Sequence, residues 1–315
     1  MPGRESFPVD DTPSYELAGR PDLMPGFGWR DVTVDGVRIR VATAGDGPPV
    51  LLLHGYPQTH LTWCRVAPRL AQSHTVVATD LRGYGNSDKP DGGPDHVAYS
   101  KRAMAADQVG VMRQLGHERF AVVGHDRGGR VGHRMALDHP EAVSRLAVLD
   151  IAPTATMYER TDKAFATAYF WWFFFIQPFD LPERLIGADP EYFLRHHLAG
   201  QLADPAAADE RLVEEYLRCY RDPRTIHSSC EDYRAAAGID LVHDAADDQR
   251  RLPMSLLALW GRHGTVGALY DVLATWRDKA DRVSGGALDC KHSPQEEAPE
   301  ALLGQLAGFL EPGDE

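Results

Sequence analysis

Residues 121–130 read AVVGHDRGGR. A short apolar run enters a turn in which Gly124 and Gly128 flank Asp126. When a strand runs into such a turn and then into a helix, the central residue stands on a sharp, exposed corner, and it is commonly a serine nucleophile. Here it is a carboxylate, and the chemistry changes. Serine needs a base before it can attack, whereas Asp126 is an anion at neutral pH. The following helix would aim its amides and dipole at the same place, favouring negative charge there. A carboxylate attacks an ordinary ester carbonyl poorly but can displace a leaving group from a saturated carbon. The product is an ester on Asp126, which water and a base must then release.

A base and an orienting acid follow in the order nucleophile, acid, histidine that this arrangement uses. Asp150 closes the apolar run RLAVLD, and His292 lies in ALDCKHSPQEEAPE. The stretch LALWGRHGTVG carries no carboxylate, which leaves Asp150 as the better orienting acid. Asp150 would hold the His292 tautomer, and His292 would take a proton from the water attacking the ester. Two backbone amides are expected to hold the ester oxyanion: that of Arg127, and that of Tyr56 in HGYPQT.

These residues need a rigid frame. Apolar runs at 48–55, 74–83, 119–126, 143–150, 255–261 and 281–289 alternate with helical stretches. That pattern predicts an α/β fold, a mostly parallel central sheet with helices on both faces. The run at 37–45 alternates and reads as an early antiparallel or edge strand. Residues 100–117 form an amphipathic helix opened by Ser100 and closed at Gly116. Between Asp150 and the strand at 255 the chain is rich in aromatics and helix formers. The expected organisation is a core of 1–152 and 253–315 with a helical cap, 153–252, over the C-terminal ends of the strands.

A net charge of −13 disfavours nucleic acid and anionic lipid as partners, so neither is expected. An anionic substrate would need a local basic pocket. Cys64, Cys219, Cys230 and Cys290 are scattered and read as reduced thiols of a cytoplasmic protein, with no metal site. The N-terminal segment is polar and Pro/Gly-rich, without the apolar core of a signal peptide, and is expected to wrap the surface or be mobile. The segment AFATAYFWWFFFIQPF, 164–179, is too short to span a bilayer and is expected as a buried helix or the wall of an apolar pocket. No metal or organic cofactor is implied, because the chemistry needs only water.

The stretches GHDRGGR, HGYPQTHLTW, DLRGYGNSD, MALDHPEAVSRLAVLDIAPT and QEEAPE resemble the α/β-hydrolase superfamily, and within it the haloacetate dehalogenases, including the fluoroacetate-type enzymes. The similarity extends through RTDKAFATAYFWWFFF, LIGADPEYF and SSCEDYRAAAGID. It implies conversion of a small anionic organohalide and water to a hydroxy acid and halide, in a homodimer. Arg127 and Arg130 then acquire a purpose. Two guanidinium groups beside the nucleophile would only quench it, unless the substrate itself brings a carboxylate for them to hold.

In the resembled family a His, a Trp and a Tyr hold the halide. The Trp and Tyr correspond to Trp172 and Tyr233, while Trp171 stands at the His position. Trp171 can donate one N–H but cannot become cationic, so chloro- or bromoacetate is expected to be favoured over fluoroacetate. Lys291 stands where the family tends to have Gly, and is expected to lower the basicity of His292 by like-charge repulsion. Epoxide hydrolysis through the same triad, with Tyr233 and more weakly Tyr169 as proton donors, is an alternative. A binding protein with a vestigial triad is another.

Overall fold

The computed structural model describes residues 20–311. Most of the N-terminal segment expected to wrap the surface lies outside the described residues.

Eight strands form one sheet in the order β1-β2-β4-β3-β5-β6-β7-β8. They are β1 Gly28–Val34, β2 Val37–Ala44, β3 Pro49–Leu53, β4 Thr75–Thr79, β5 Phe120–His125, β6 Val143–Leu149, β7 Ser255–Gly261 and β8 Val283–Leu288. β2 runs antiparallel to both β1 and β4, and the remaining pairs are parallel. The fold is an α/β hydrolase fold. Each apolar run identified in the sequence became a strand. β1 did not announce itself, because GWRDVTV is mostly exposed and lacks an apolar run.

The interior strands are continuous Val, Leu and Ala because helices cover both faces. Leu51, Leu52, Leu53, Val122, Val123, Leu146 and Val148 have no exposed surface. The helix expected over 100–117 spans Lys101–Gln114, and the Ser100 side chain accepts from the amide of Ala103. Gly116 follows it with a φ of +87°, where a side chain would be strained.

Between β6 and β7 the chain is helical, from Thr154 to Ala246. Its aromatic stretch folds as two short helices, Lys163–Ala168 and Phe170–Phe175. Phe165, Trp172 and Phe175 are buried. Two longer helices, Pro190–Gln201 and Pro223–Ala237, also bring residues to the ends of the parallel strands. No helix among the described residues is long and apolar enough to cross a membrane. The four cysteines are free thiols.

Candidate active site

β5 ends at His125, Asp126 turns the chain, and a helix runs from Arg127 to Asp138. Asp126 has φ +44° and ψ −113°, a strained conformation for a side-chain-bearing residue. The turn closes because its neighbours lack side chains. A Cβ on Gly124 would lie 2.5 Å from the Gly128 carbonyl oxygen, and one on Gly128 would lie 2.5 Å from that of Leu53. At Gly55 a Cβ would come within 2.6 Å of the Asp126 Cβ, so only glycine lets the HGYPQT loop approach. The approach brings the Tyr56 amide to donate to Asp126 Oδ2 at 3.1 Å. Of the two amides expected to serve the oxyanion, that of Tyr56 meets the carboxylate; no hydrogen bond joins the Arg127 amide to it.

Asp150, at the end of β6, and His292, after β8, meet across 142 residues of sequence. His292 Nδ1 pairs with Asp150 Oδ2 at 2.6 Å, and Asp150 Oδ1 accepts from the Gly261 amide at 3.0 Å. His292 Nε2 is buried without a hydrogen-bond partner, as a base awaiting water would be. Burial would lower the pKa of His292, but the Asp150 hydrogen bond and the Asp150 and Asp126 charges outweigh it and raise the pKa above its ordinary 6.5. The net direction is set by the two carboxylates, whatever Lys291 takes away. Burial would raise the pKa of Asp126, but His292, Arg130 and Arg127 hold it below its usual value, so this carboxylate is ionised.

The His292 backbone is held as firmly as its ring. Its amide donates to the Gln201 carbonyl at 3.0 Å. Its own carbonyl accepts from His125 Nε2 at 2.8 Å. Burial pushes the pKa of His125 down to about 3, so that ring is a neutral donor. His125 thereby supports the backbone of His292. Glu297 accepts from the amides of Lys291 and Ser293 at 3.2 and 3.0 Å.

The two arginines separate. Arg127 is fully buried and gives Nε and Nη2 to the Asp232 carboxylate at 2.9 and 2.6 Å, and Nη2 also to the Asp232 carbonyl. Tyr84 Oη and Lys101 Nζ bond to the same carboxylate. Only Nη1 of Arg127 is unpartnered. Arg127 thus ties the elbow to the helical insertion. Arg130 has no carboxylate partner among the described residues. It donates to the Ala152 carbonyl, Thr154 Oγ1 and Met157 Sδ, while Nε lacks a partner.

Trp172 and Tyr233 line up with these cations. Arg130 lies 4.7 Å over the Trp172 ring, and Arg127 lies 4.2 Å over that of Tyr233. Trp171 lies elsewhere. It lines a cavity of about 280 Å³ together with Tyr169, Phe193, His196, His197, Gln201, Lys291 and His292. Its ring stands edge-on to His197 at 4.6 Å. Sequence reading missed His197, although Leu194, His197, Leu198 and Gln201 recur at helical spacing on one buried face. Burial, then the nearby His292, pushes the pKa of His197 down to about 3. Among the described residues no group of three or more His, Cys, Asp or Glu side chains could hold a metal ion.

The family model for the alpha/beta hydrolase fold matches residues 48–299. The chain is 46% identical to a fluoroacetate dehalogenase of Burkholderia sp over 289 residues, covering 91% of this chain and 95% of that protein. It is 33% identical to a soluble epoxide hydrolase of Corynebacterium sp. (strain C12), covering 89% and 96%. The crystal structure of a candidate alpha/beta hydrolase from Nostoc sp PCC 7120 is 55% identical and superposes with a TM-score of 0.90, covering 91% of this chain and 99% of that one.

Proposed function

The chain belongs to the α/β-hydrolase family, and from that premise we propose that it is a haloacetate dehalogenase, releasing halide and glycolate through an ester on Asp126. Hydrolytic dehalogenation in general is supported by the similarity to the fluoroacetate dehalogenase. The single observation that carries the haloacid reading is Arg130. It is 4% exposed, without a carboxylate partner among the described residues, beside an ionised Asp126. A buried guanidinium that no carboxylate contacts is costly, and Asp126 offsets that cost only through space. A substrate carboxylate relieves that cost by accepting from it, with the remaining Nη1 of Arg127 as a second donor.

So held, the substrate presents Cα to Asp126. A carboxylate oxygen attacks Cα, the carbon–halogen bond breaks, and the halide leaves with the electron pair. Trp172 and Tyr233 flank the arginines and are the proposed halide donors, with Trp171 further out. Water then attacks the ester carbonyl carbon and gives its proton to His292 Nε2. The Tyr56 amide stabilises the oxyanion. The intermediate collapses, the bond from that carbon to the glycolate oxygen breaks, and His292 returns the proton to it. The helical insertion serves here as the cap over the site. A cytoplasmic homodimer joined through that insertion belongs to the same reading; Phe170, Phe179 and Leu185 on it are 47%, 61% and 58% exposed.

Chloro- and bromoacetate are the proposed preferred substrates. Fluoride needs several strong donors to replace its hydration, and Trp171 offers one neutral N–H at most. Halide release at equal concentrations tests this: fluoroacetate turnover matching chloroacetate overturns the preference.

Epoxide hydrolysis is favoured by one observation. Tyr233 and Tyr169 are buried phenols, kept neutral first by burial and further by Asp126 among other charges, so either could protonate an opening ring. One experiment separates the readings: His292→Ala with chloroacetate or a simple epoxide, followed by intact mass. A carboxymethyl ester on Asp126 with a burst of halide supports the dehalogenase. A hydroxyalkyl ester supports the epoxide hydrolase. No adduct, and no turnover by the unmodified protein, supports a binding protein.

A further inference from the structure

The helix Pro190–Gln201 ends where the catalytic loop passes. The last carbonyls of a helix have no partner within it. Here Gly200 O accepts from Lys291 Nζ, and Gln201 O accepts from the His292 amide at 3.0 Å. Two consecutive residues of the base-bearing loop thus cap two consecutive carbonyls of one helix. An ammonium at that end also meets the negative pole of the helix dipole. The Gln201 side chain is tied back to its own helix by a contact with His197 Nε2 at 2.7 Å. One carboxylate, Glu297, spans the junction: Oε1 takes the amides of Lys291 and Ser293, and Oε2 takes that of Ala203 just past the helix.

We propose that Lys291 is a positioning residue for the hydrolytic half-reaction, latching the His292 loop to the end of the helix Pro190–Gln201. The two ends of the reaction have different demands. Attack by Asp126 needs the elbow and Arg130, which the insertion meets through Asp232, Thr154 and Met157 and not through the end of the helix Pro190–Gln201. Ester hydrolysis needs His292 Nε2 aimed at a water, and the His292 backbone is pinned on one side by His125 of the sheet and on the other by Gln201 of the insertion. Releasing the second pin leaves the ring tethered to Asp150 but free to tilt. Misplacement on the scale of 1 Å is enough to slow a proton transfer strongly. Seating of this helix end is thereby coupled to hydrolysis rather than to alkylation.

The inference rests on the ester reading above, and the test keeps the two apart. Lys291→Met and Lys291→Arg are compared with the unmodified enzyme in single turnovers with chloroacetate, following halide release, glycolate release and the esterified fraction by mass. The expected result for Lys291→Met is a halide burst at the normal rate, glycolate release slowed about 10-fold, and ester accumulating on Asp126. Arginine, which can still donate to Gly200 O, restores glycolate release to within about 2-fold. The normal burst reports that the variant is folded. An unchanged ratio of the two rates in Lys291→Met overturns the latch. So does a salt-sensitive rise in KM with both rate constants intact, which is the behaviour of a cation that merely attracts the substrate. If the unmodified enzyme itself gives neither halide nor ester, the parent reading fails instead.

Discussion

Asp232 takes both fork nitrogens of Arg127, 105 residues away in the chain, and leaves Arg130 as the buried cation beside Asp126 that no carboxylate contacts among the described residues. Two arginines three positions apart on one helix thus have different work. One fastens the helical insertion to the elbow, and the other is the cation that the proposed reaction assigns to the substrate carboxylate.

Removing the Asp232 charge should therefore cost stability. Asp232→Asn leaves Arg127 and Lys101 without their shared counter-ion, and both Arg127 and Asp232 side chains are 0% exposed. Breaking a buried pair from one side costs about 3–5 kcal/mol. Urea unfolding would measure it; a loss under about 1 kcal/mol counts against the anchoring role.

Arg130→Met should act on substrate instead. Charge-assisted bonds are worth about 1.5–3 kcal/mol, so kcat/KM for chloroacetate should fall by about 10- to 100-fold. Chloroacetamide, which carries no carboxylate, should lose far less. Equal losses for the two compounds would mean that Arg130 does not read the carboxylate.

Asp150→Asn should split the reaction. The amide oxygen can still accept from Gly261, but its NH2 would face His292 Nδ1 and force the ring proton onto Nε2. That nitrogen then cannot accept from water. Glycolate release should drop by on the order of 10³-fold while the halide burst persists. Loss of the burst as well would show that Asp150 serves alkylation too.

The pH profiles of the two steps should differ in a defined direction. In the free enzyme the pKa of His292 is raised by Asp150 and Asp126, while that of Asp126 is lowered. Alkylation needs only the Asp126 anion and should stay flat into mild acid. Esterification then removes the Asp126 charge, and the pKa of His292 falls, with Asp150 still holding it up. Hydrolysis should weaken as the pH falls through the pKa of His292, because a protonated His292 cannot act as base. Quenched samples at lower pH should hold more ester. Ester that declines with acidity would reverse the assignment of base and nucleophile.

The sequence by itself determined the sheet, the elbow and the order of the triad, because each is written locally. Continuous apolar runs specify buried strands, glycines on both sides of Asp126 specify the turn, and Ser100 specifies where a helix begins. Residue types could also nominate Asp150 and His292, since each follows an apolar run that reads as a core strand. The tertiary structure decided what those residues are free to do. Whether Arg127 is available depends on Asp232, and the pose of His292 depends on Gln201 and His125, 91 and 167 residues before it in the chain. No periodicity encodes such pairings. They arise where the helical insertion closes on the strand ends, and a side chain's charge, tautomer and reach are fixed by whichever partners packing leaves within hydrogen-bond distance.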